Sequence, residues 1–416
     1  MQPEAGTRSG RGHIIVPGFI GCSGSTDSKY TYVRYLAHGS SGETWKVMKV
    51  SDGTLYALKI TSLKHSHAPS LMRMRTEVRC LESIDHFACI RLHEKLETES
   101  HFFLVMEYCD AGDLRDHLRG GSSLQEHQIV YILLQLLLAL HYLHTKKKML
   151  HRDLKPANVL LHTKGLVKLG DFGLSKTYDT ISGDVGLTIC GTPAYVAPEL
   201  WRKERYGAAA DIWSLGVILY EALTGRRPFE GAKCEELRHK VLTEEAPPIE
   251  TAHNAELKGI AYALLRKSSA ERPDTTQLLR EPLLVAALRN FPQVLRFSDV
   301  DEPLRQRVLH DISSGQLLPS LQVDHSVVFA GTVWKYKSPQ DYQERYMELA
   351  NGQLSLLLRP GGRVGFRGCI PMLQVEQVAC IDPNHVALKI EGADWCYFLT
   401  PEAAMWEERL RAALRM

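Results

Sequence analysis

Between Met149 and Gly173 the chain reads Met149-Leu150-His151-Arg152-Asp153-Leu154-Lys155-Pro156-Ala157-Asn158-Val159-Leu160, then a β-rich piece, then Asp171-Phe172-Gly173. Few stretches restrict a fold as tightly. A carboxylate, a lysine and a carboxamide share one short loop, and a second carboxylate follows the next hairpin. In-line phosphoryl transfer requires that set. Asp153 can accept or steer a hydroxyl proton, and Lys155 can lie near the transferred charge. Asn158 and Asp171 offer oxygen ligands to Mg²⁺, a hard ion that prefers them.

Upstream, a β pattern begins at Tyr30 and leads into Ala37-His38-Gly39-Ser40-Ser41-Gly42-Glu43-Thr44. Gly39 and Gly42 would let the backbone fold closely over phosphates, offering N–H groups without a Cβ clash. The next strand carries Tyr56-Ala57-Leu58-Lys59, and the helix after it bears Glu77 and Leu81 on one face. Phe103-Leu104-Val105-Met106 is a buried-strand run that ends at Glu107-Tyr108-Cys109. Residues 125–144 form a long amphipathic helix with Ile129, Leu133, Leu136, Leu137 and Leu140 as core.

In order and spacing these stretches resemble the eukaryotic protein kinases. The resemblance implies an α+β chain with a bilobal kinase fold over residues 29–285, using ATP with Mg²⁺, for which Mn²⁺ can substitute. It makes Asp153, Lys155, Lys59 and Glu77 the catalytic set, with Lys59 reaching the α/β-phosphates and Glu77 pairing with it. Asn158 and Asp171 become the metal ligands. Leu36, Gly39, Gly42, Thr44, Ala57, Lys59, Met106, Glu107, Cys109 and Leu160 line the ATP site, with Met106 as gatekeeper and the Glu107 carbonyl and Cys109 amide on the adenine edge. Ala37, Ser41 and Thr44 depart from the family's usual residues, which bears on nucleotide affinity. Lys155 and Gly191-Thr192-Pro193 favour Ser/Thr acceptors in a protein substrate. Val105-Met106-Glu107-Tyr108-Cys109-Asp110-Ala111-Gly112-Asp113-Leu114 and Cys190-Gly191-Thr192-Pro193-Ala194-Tyr195 resemble the NIMA-related (NEK) family.

After Gly173 a polar segment leads to Thr188, and Ala197-Pro198-Glu199 closes it. Thr188 stands where the family carries its activating phosphothreonine. A phosphate there would add about −1.5 to −2 charges and could clamp Arg152. Asp211 matches the aspartate that braces the catalytic loop, and Arg272 the arginine that pairs with Glu199.

Residues 286–325 read as a linker with one helix over 303–312. Residues 326–416 then show short strands at 327–337, 344–349, 354–358, 375–381, 386–390 and 395–399, separated by turn signals. Thr400 and Pro401 open a final helix carrying Trp406. This pattern resembles a pleckstrin-homology (PH) domain, a small β-barrel or sandwich capped by a C-terminal helix. Lys337 and Arg345 fit its cationic phosphoinositide site, while Gln343 and Glu344 weaken that fit. A protein partner, or the chain's own kinase domain, is the other ligand considered.

Composition adds exclusions. The 416 residues carry a formal charge of +2, so no bulk pull toward nucleic acid is implied. The nine cysteines form no CxxC pair, which argues for reduced thiols in an intracellular, cytoplasmic protein that PH contacts could recruit to membrane or cytoskeletal structures. The run 129–140 is interrupted by Gln135 and too short to span a bilayer. Residues 1–28 read as a disordered leader, because Pro17 and Gly18 break either periodicity. An active Ser/Thr kinase is the favoured function. A pseudokinase scaffold would have lost Lys59, Asp153 or Asp171, and a PH-based adaptor is the third alternative.

Overall fold

The computed structural model describes residues 7–8, 13–39, 42–63, 68–120, 124–163, 165–177 and 192–297; beyond these it describes helical positions 303, 306, 308 and 310, the backbone of seven strands between 329 and 399, and positions 406, 407 and 411. The chain divides into two units, Met1–Leu278 and Leu279–Met416.

The first unit opens on a six-stranded sheet. Its strands are β1 (Ile20–Gly21), β2 (Tyr30–Gly39), β3 (Gly42–Lys49), β4 (Leu55–Ser62), β5 (Leu92–Glu97) and β6 (His101–Glu107), in the spatial order β1-β2-β3-β4-β6-β5. β1 lies parallel to β2, and the other pairs are antiparallel. Between β4 and β5 runs helix α1 (Ala68–Ser83), with Met74, Val78 and Leu81 buried at helical spacing.

Residues 13–28 are not the disordered leader expected from the sequence. Ile14, Val16, Phe19 and Ile20 are buried in one apolar cluster with Tyr30, Tyr32, Val47, Leu58, Ile60, Phe103 and Val105. The Pro17-Gly18 break is the turn that folds these residues back: Gly18 takes φ +72°, and Val16 and Ile20 exchange backbone hydrogen bonds of 3.0 and 2.9 Å.

The larger part of this unit is helical. Helix α2 (Leu114–Arg119) is capped by the Asp113 carboxylate, and α3 (Glu126–His141) continues into a π-helical turn, Tyr142–Lys146. Every residue from Ile129 to His141 is buried, which is why α3 is apolar all round. The continuous helix Glu126–Lys146, 21 residues, is long and apolar enough to cross a membrane, contrary to the expectation from the shorter run; 83% of its most apolar window is buried inside the protein. A hairpin of β7 (Val159–Leu161) and β8 (Val167–Leu169) follows, then α4 (Pro198–Trp201), α5 (Ala208–Thr224), α6 (Cys234–Thr243), α7 (Ala255–Leu264) and α8 (Thr275–Leu278). A sheet followed by helices fits the bilobal kinase fold.

The second unit begins with α9 (Pro282–Phe297), so the expected boundary at residue 285 falls inside a helix. Positions 303, 306, 308 and 310 of the expected linker helix are helical and Val308 is buried; Leu304 and Ile312 lie outside the described residues. The strands are β9 (Phe329–Ser338), β10 (Asp341–Ala350), β11 (Gln353–Leu357), β12 (Cys369–Pro371), β13 (Val375–Asp382), β14 (His385–Ile390) and β15 (Cys396–Leu399). They form one antiparallel sheet in the order β12-β11-β10-β9-β15-β14-β13. Six of these were expected, and the short β12 was not. Trp406 is fully buried in a helical turn after β15.

Candidate active site

Strand alternation sends Ala57 and Lys59 of β4 to one face of the sheet, and α1 brings Glu77 to meet Lys59. The Lys59 Nζ donates to both Glu77 carboxylate oxygens, at 2.7 and 2.6 Å, with both side chains buried. Burial alone would lower the Lys59 amine, but the Glu77 and Asp171 carboxylates outweigh it and hold Lys59 above its usual range. Burial pushes the Glu77 carboxyl up while the Lys59 charge draws it down, so the two groups depend on each other for partners.

Asp153 sits in a converging set of donors. Its Oδ2 accepts from Lys155 Nζ at 2.5 Å and from Asn158 Nδ2 at 3.2 Å, and its Oδ1 accepts from the Thr192 N–H at 3.1 Å. Asn158 Nδ2 also donates to the Asp153 carbonyl at 2.7 Å. The carboxamide nitrogen is thereby turned inward, which leaves its oxygen as the atom able to face a cation. Enclosure pushes the Asp171 carboxyl up, but the charges of Lys59, His151 and Lys155 hold it below the usual carboxylate range. Asn158 oxygen and ionised Asp171 thus fit a hard divalent cation. Phe172, next in sequence, is fully buried with its ring 5.2 Å from that of His151.

The loop itself is fixed from below. The Asp211 carboxylate at the start of α5 accepts from the His151 and Arg152 N–H groups, each at 2.9 Å, and bonds His144 Nε2 at 2.8 Å. Burial pushes its acid up, yet His144, the His151 charge and the Arg152 N–H hold it below the usual range. Those bonds stabilise Arg152 at φ +70°, a left-handed conformation unfavourable for an arginine. Arg272 grips Glu199 with two bonds of 2.8 and 2.7 Å, both side chains buried. Asp211 and Arg272 therefore hold the scaffold positions expected of them.

The remaining nucleotide-site candidates lie around the same cleft. Gly39 pairs with Gly42 at the end of the β2–β3 hairpin, Thr44 pairs with Lys59, and Ala57 with Met106. Gly42 is required by its surroundings: at φ +132°, a Cβ there would lie 2.0 Å from the Ile60 carbonyl oxygen. Leu36 falls where the β2–β3 register shifts, between Tyr35 and Ala37. The segment after Glu107 is tied to β7 by Ala111 N–H to the Leu161 carbonyl and Leu161 N–H to the Gly112 carbonyl, so Glu107, Cys109 and Leu160 share one neighbourhood. Among the described residues the Cys109 amide N–H has no protein acceptor, as a group that meets a ligand requires.

Thr188 lies outside the described residues. Lys337 and Arg345 fall on paired strands but are not brought together: Arg345 lies opposite Val333, and Lys337 sits at a register irregularity near the far end of the hairpin. Four residues separate position 337 from Val333, roughly 13 Å at about 3.3 Å per residue. Sequence reasoning missed Thr192 as a partner of Asp153, His144 as a partner of Asp211, and Lys168, whose Nζ lies 2.8 Å from Glu107. The signal for Lys168 was present: a lysine inside the short apolar strand Val167–Leu169 needs a buried partner.

The protein kinase domain family matches residues 30–284. The chain is 36% identical over 346 residues to "Putative serine/threonine-protein kinase A" of Trypanosoma brucei brucei, covering 79% of this chain and 80% of that protein. It is 33% identical over 273 residues to serine/threonine-protein kinase Nek3 of Mus musculus, covering 64% of this chain and 52% of that protein, and 30% identical over 271 residues to mouse Nek1, covering 64% and 22%. The family match embraces both the Lys59–Glu77 pair and the loop around Asp153. The chain belongs to the protein kinase family and is a serine/threonine protein kinase.

Proposed function

We propose that Asp153 accepts or steers the proton of a Ser or Thr hydroxyl, and that Lys155, bonded to it at 2.5 Å, stabilises charge on the group being transferred. When bound, Mg-ATP supplies the γ-phosphoryl group. Asn158 and Asp171 would hold the metal and Lys59 the phosphates, while Glu77 keeps Lys59 in place. Leu36, Thr44, Ala57, Met106 and Leu160 would enclose the adenine, and the Glu107 carbonyl and Cys109 N–H would recognise its edge. The observation that carries this reading is the buried Lys59–Glu77 pair, joined at 2.7 and 2.6 Å, with Asp171 close enough for its charge to act on Lys59. A small cavity beside Asp153, bounded by Thr192, Tyr195, Leu200 and Tyr206, is where the acceptor segment would approach. With Mg-ATP and a Ser/Thr peptide array, Asp153→Asn should lower turnover by at least about 100-fold and leave the unfolding temperature unchanged. Transfer by the wild type no faster than by Asp153→Asn would overturn these assignments.

Within the serine/threonine kinases we read the chain as NIMA-related, a reading supported by its identity with Nek1 and Nek3. Thr188 is the activating phosphosite in this reading, its phosphate compensating Arg152. Thr188→Ala should then be several-fold less active than autophosphorylated wild type. Equal rates would remove Thr188 from that role.

For residues 326–416 the PH reading is favoured by the strand order, in which the fourth to first strands are followed by the seventh to fifth, and by buried Trp406 after the last strand. Such a domain would recruit a cytoplasmic kinase to phosphoinositide membranes or to a protein partner. The register separating Lys337 from Arg345 argues against one compact cation site built from those two residues. Vesicles carrying phosphoinositide decide between the ligands: salt-sensitive binding that the Lys337→Glu/Arg345→Glu variant abolishes supports lipid, and no binding at low salt supports the protein partner.

A further inference from the structure

Residues 13–21 precede the segment matched by the kinase family, yet they are built into the sheet that carries Lys59. The β4–β6 register pairs Ala57 with Met106 and Lys59 with Leu104 on the face toward Glu77. It pairs Leu58 with Val105 and Ile60 with Phe103 on the opposite face. That rear set is buried in one cluster with Ile14, Val16, Phe19 and Ile20.

The same residues grip the β2–β3 hairpin, whose tip carries Gly39 and Gly42. The His13 ring stacks on Tyr32 with centroids 4.4 Å apart and planes 7° apart, and meets Trp45 edge-on at 4.8 Å. The Tyr32 hydroxyl donates to the Ile14 carbonyl at 2.8 Å. Ile20 pairs with Tyr30, whose N–H donates to the Phe19 carbonyl at 2.8 Å. Trp45 pairs in turn with Leu58, the neighbour of Lys59.

We propose that residues 13–21 are a rear cover that positions the β2–β3 hairpin and thereby sets the affinity for ATP. A hairpin anchored on its rear face loses less conformational entropy when a ligand orders its tip. Among the described residues the cover's contacts are with the sheet strands and not with Asp153, so its effect falls on the nucleotide and not on chemistry. The inference rests on the Lys59 face being the nucleotide site.

The test uses the full chain with His13→Ala, which removes the ring stack and leaves the apolar cover, and Phe19→Ser, which breaches the cover. Mg-ATP affinity is measured by isothermal titration, kcat and peptide KM by initial rates, and folding by thermal denaturation. His13→Ala should weaken Mg-ATP binding about fivefold, the order expected for one aromatic contact, with kcat and peptide KM within about twofold. Phe19→Ser should weaken it further while folded. If Phe19→Ser does not fold, His13→Ala alone decides. Unchanged Mg-ATP affinity in folded His13→Ala, or a loss confined to kcat, would overturn the cover as a positioning device. Absence of Mg-ATP binding by the wild type would instead overturn the nucleotide-site reading and the inference with it.

Discussion

Lys168 and Glu107 form an ion pair 2.8 Å long that ties the end of β6 to β8, three residues before Asp171. The Lys168 side chain is only 4% exposed, and its backbone lies opposite Leu160. An enclosed charge tolerates loss of its partner poorly. Lys168→Met should destabilise the protein by about 1–3 kcal/mol, below the fully buried range because Glu107 is part exposed, and weaken Mg-ATP binding by loosening the segment after Glu107. Adding Glu107→Gln should restore part of the stability. Thermal denaturation of single and double variants checks this, and equal losses in both would show that the pair is not coupled.

Arg272→Ala should be costlier, about 3–5 kcal/mol, because Glu199 would remain as a buried carboxylate without its two-pronged partner. Arg272→Lys should recover little, since an ammonium cannot reproduce the paired bonds. Urea unfolding of the three proteins measures both effects.

Burial lowers His86 from its ordinary 6.5 to about 3, with the Lys168 and His141 charges adding to that shift. Its Nδ1 accepts from the Ala88 N–H at 3.2 Å, so the ring is held neutral in the fold. Between pH 6.5 and about 3 the unfolded chain therefore binds a proton that the folded chain refuses. Its contribution to stability is complete above pH 6.5 and declines as the pH falls toward 3. His86→Asn should flatten the change in unfolding temperature across that interval; an identical slope in the variant would assign it to other groups.

Trp406 is fully buried, and its truncation to alanine should cost about 3–5 kcal/mol in the second unit. Calorimetry of the full chain should show a transition that moves in Trp406→Ala while turnover stays near the wild-type value. An unmoved thermogram would refute this.

Legibility in the sequence followed the distance over which each relationship acts. Asp153, Lys155 and Asn158 lie within six residues, so their chemistry is visible in the spacing and the fold brings them together. Lys59 and Glu77 were found because each sits in a recognisable stretch, although only tertiary packing makes them meet. Lys168–Glu107 and Thr192–Asp153 join segments with no shared local pattern. The rear cover escaped notice because Pro17 and Gly18 look like breaks, whereas they make the turn that buries Ile14 and Phe19. Lys337 and Arg345 were grouped by resemblance to the PH cation site, and the strand register places Arg345 opposite Val333 rather than opposite position 337.

The apolar seam beneath β2–β4 also decides where this enzyme can be cut. A recombinant piece beginning at Tyr30, where the protein kinase family match starts, would leave Leu58, Ile60, Phe103 and Val105 without Ile14, Val16, Phe19 and Ile20. Such a piece would present a greasy patch to solvent and favour self-association during expression. The limit of the family match and the limit of the apolar cluster therefore fall at different residues, Tyr30 for the first and Ile14 for the second.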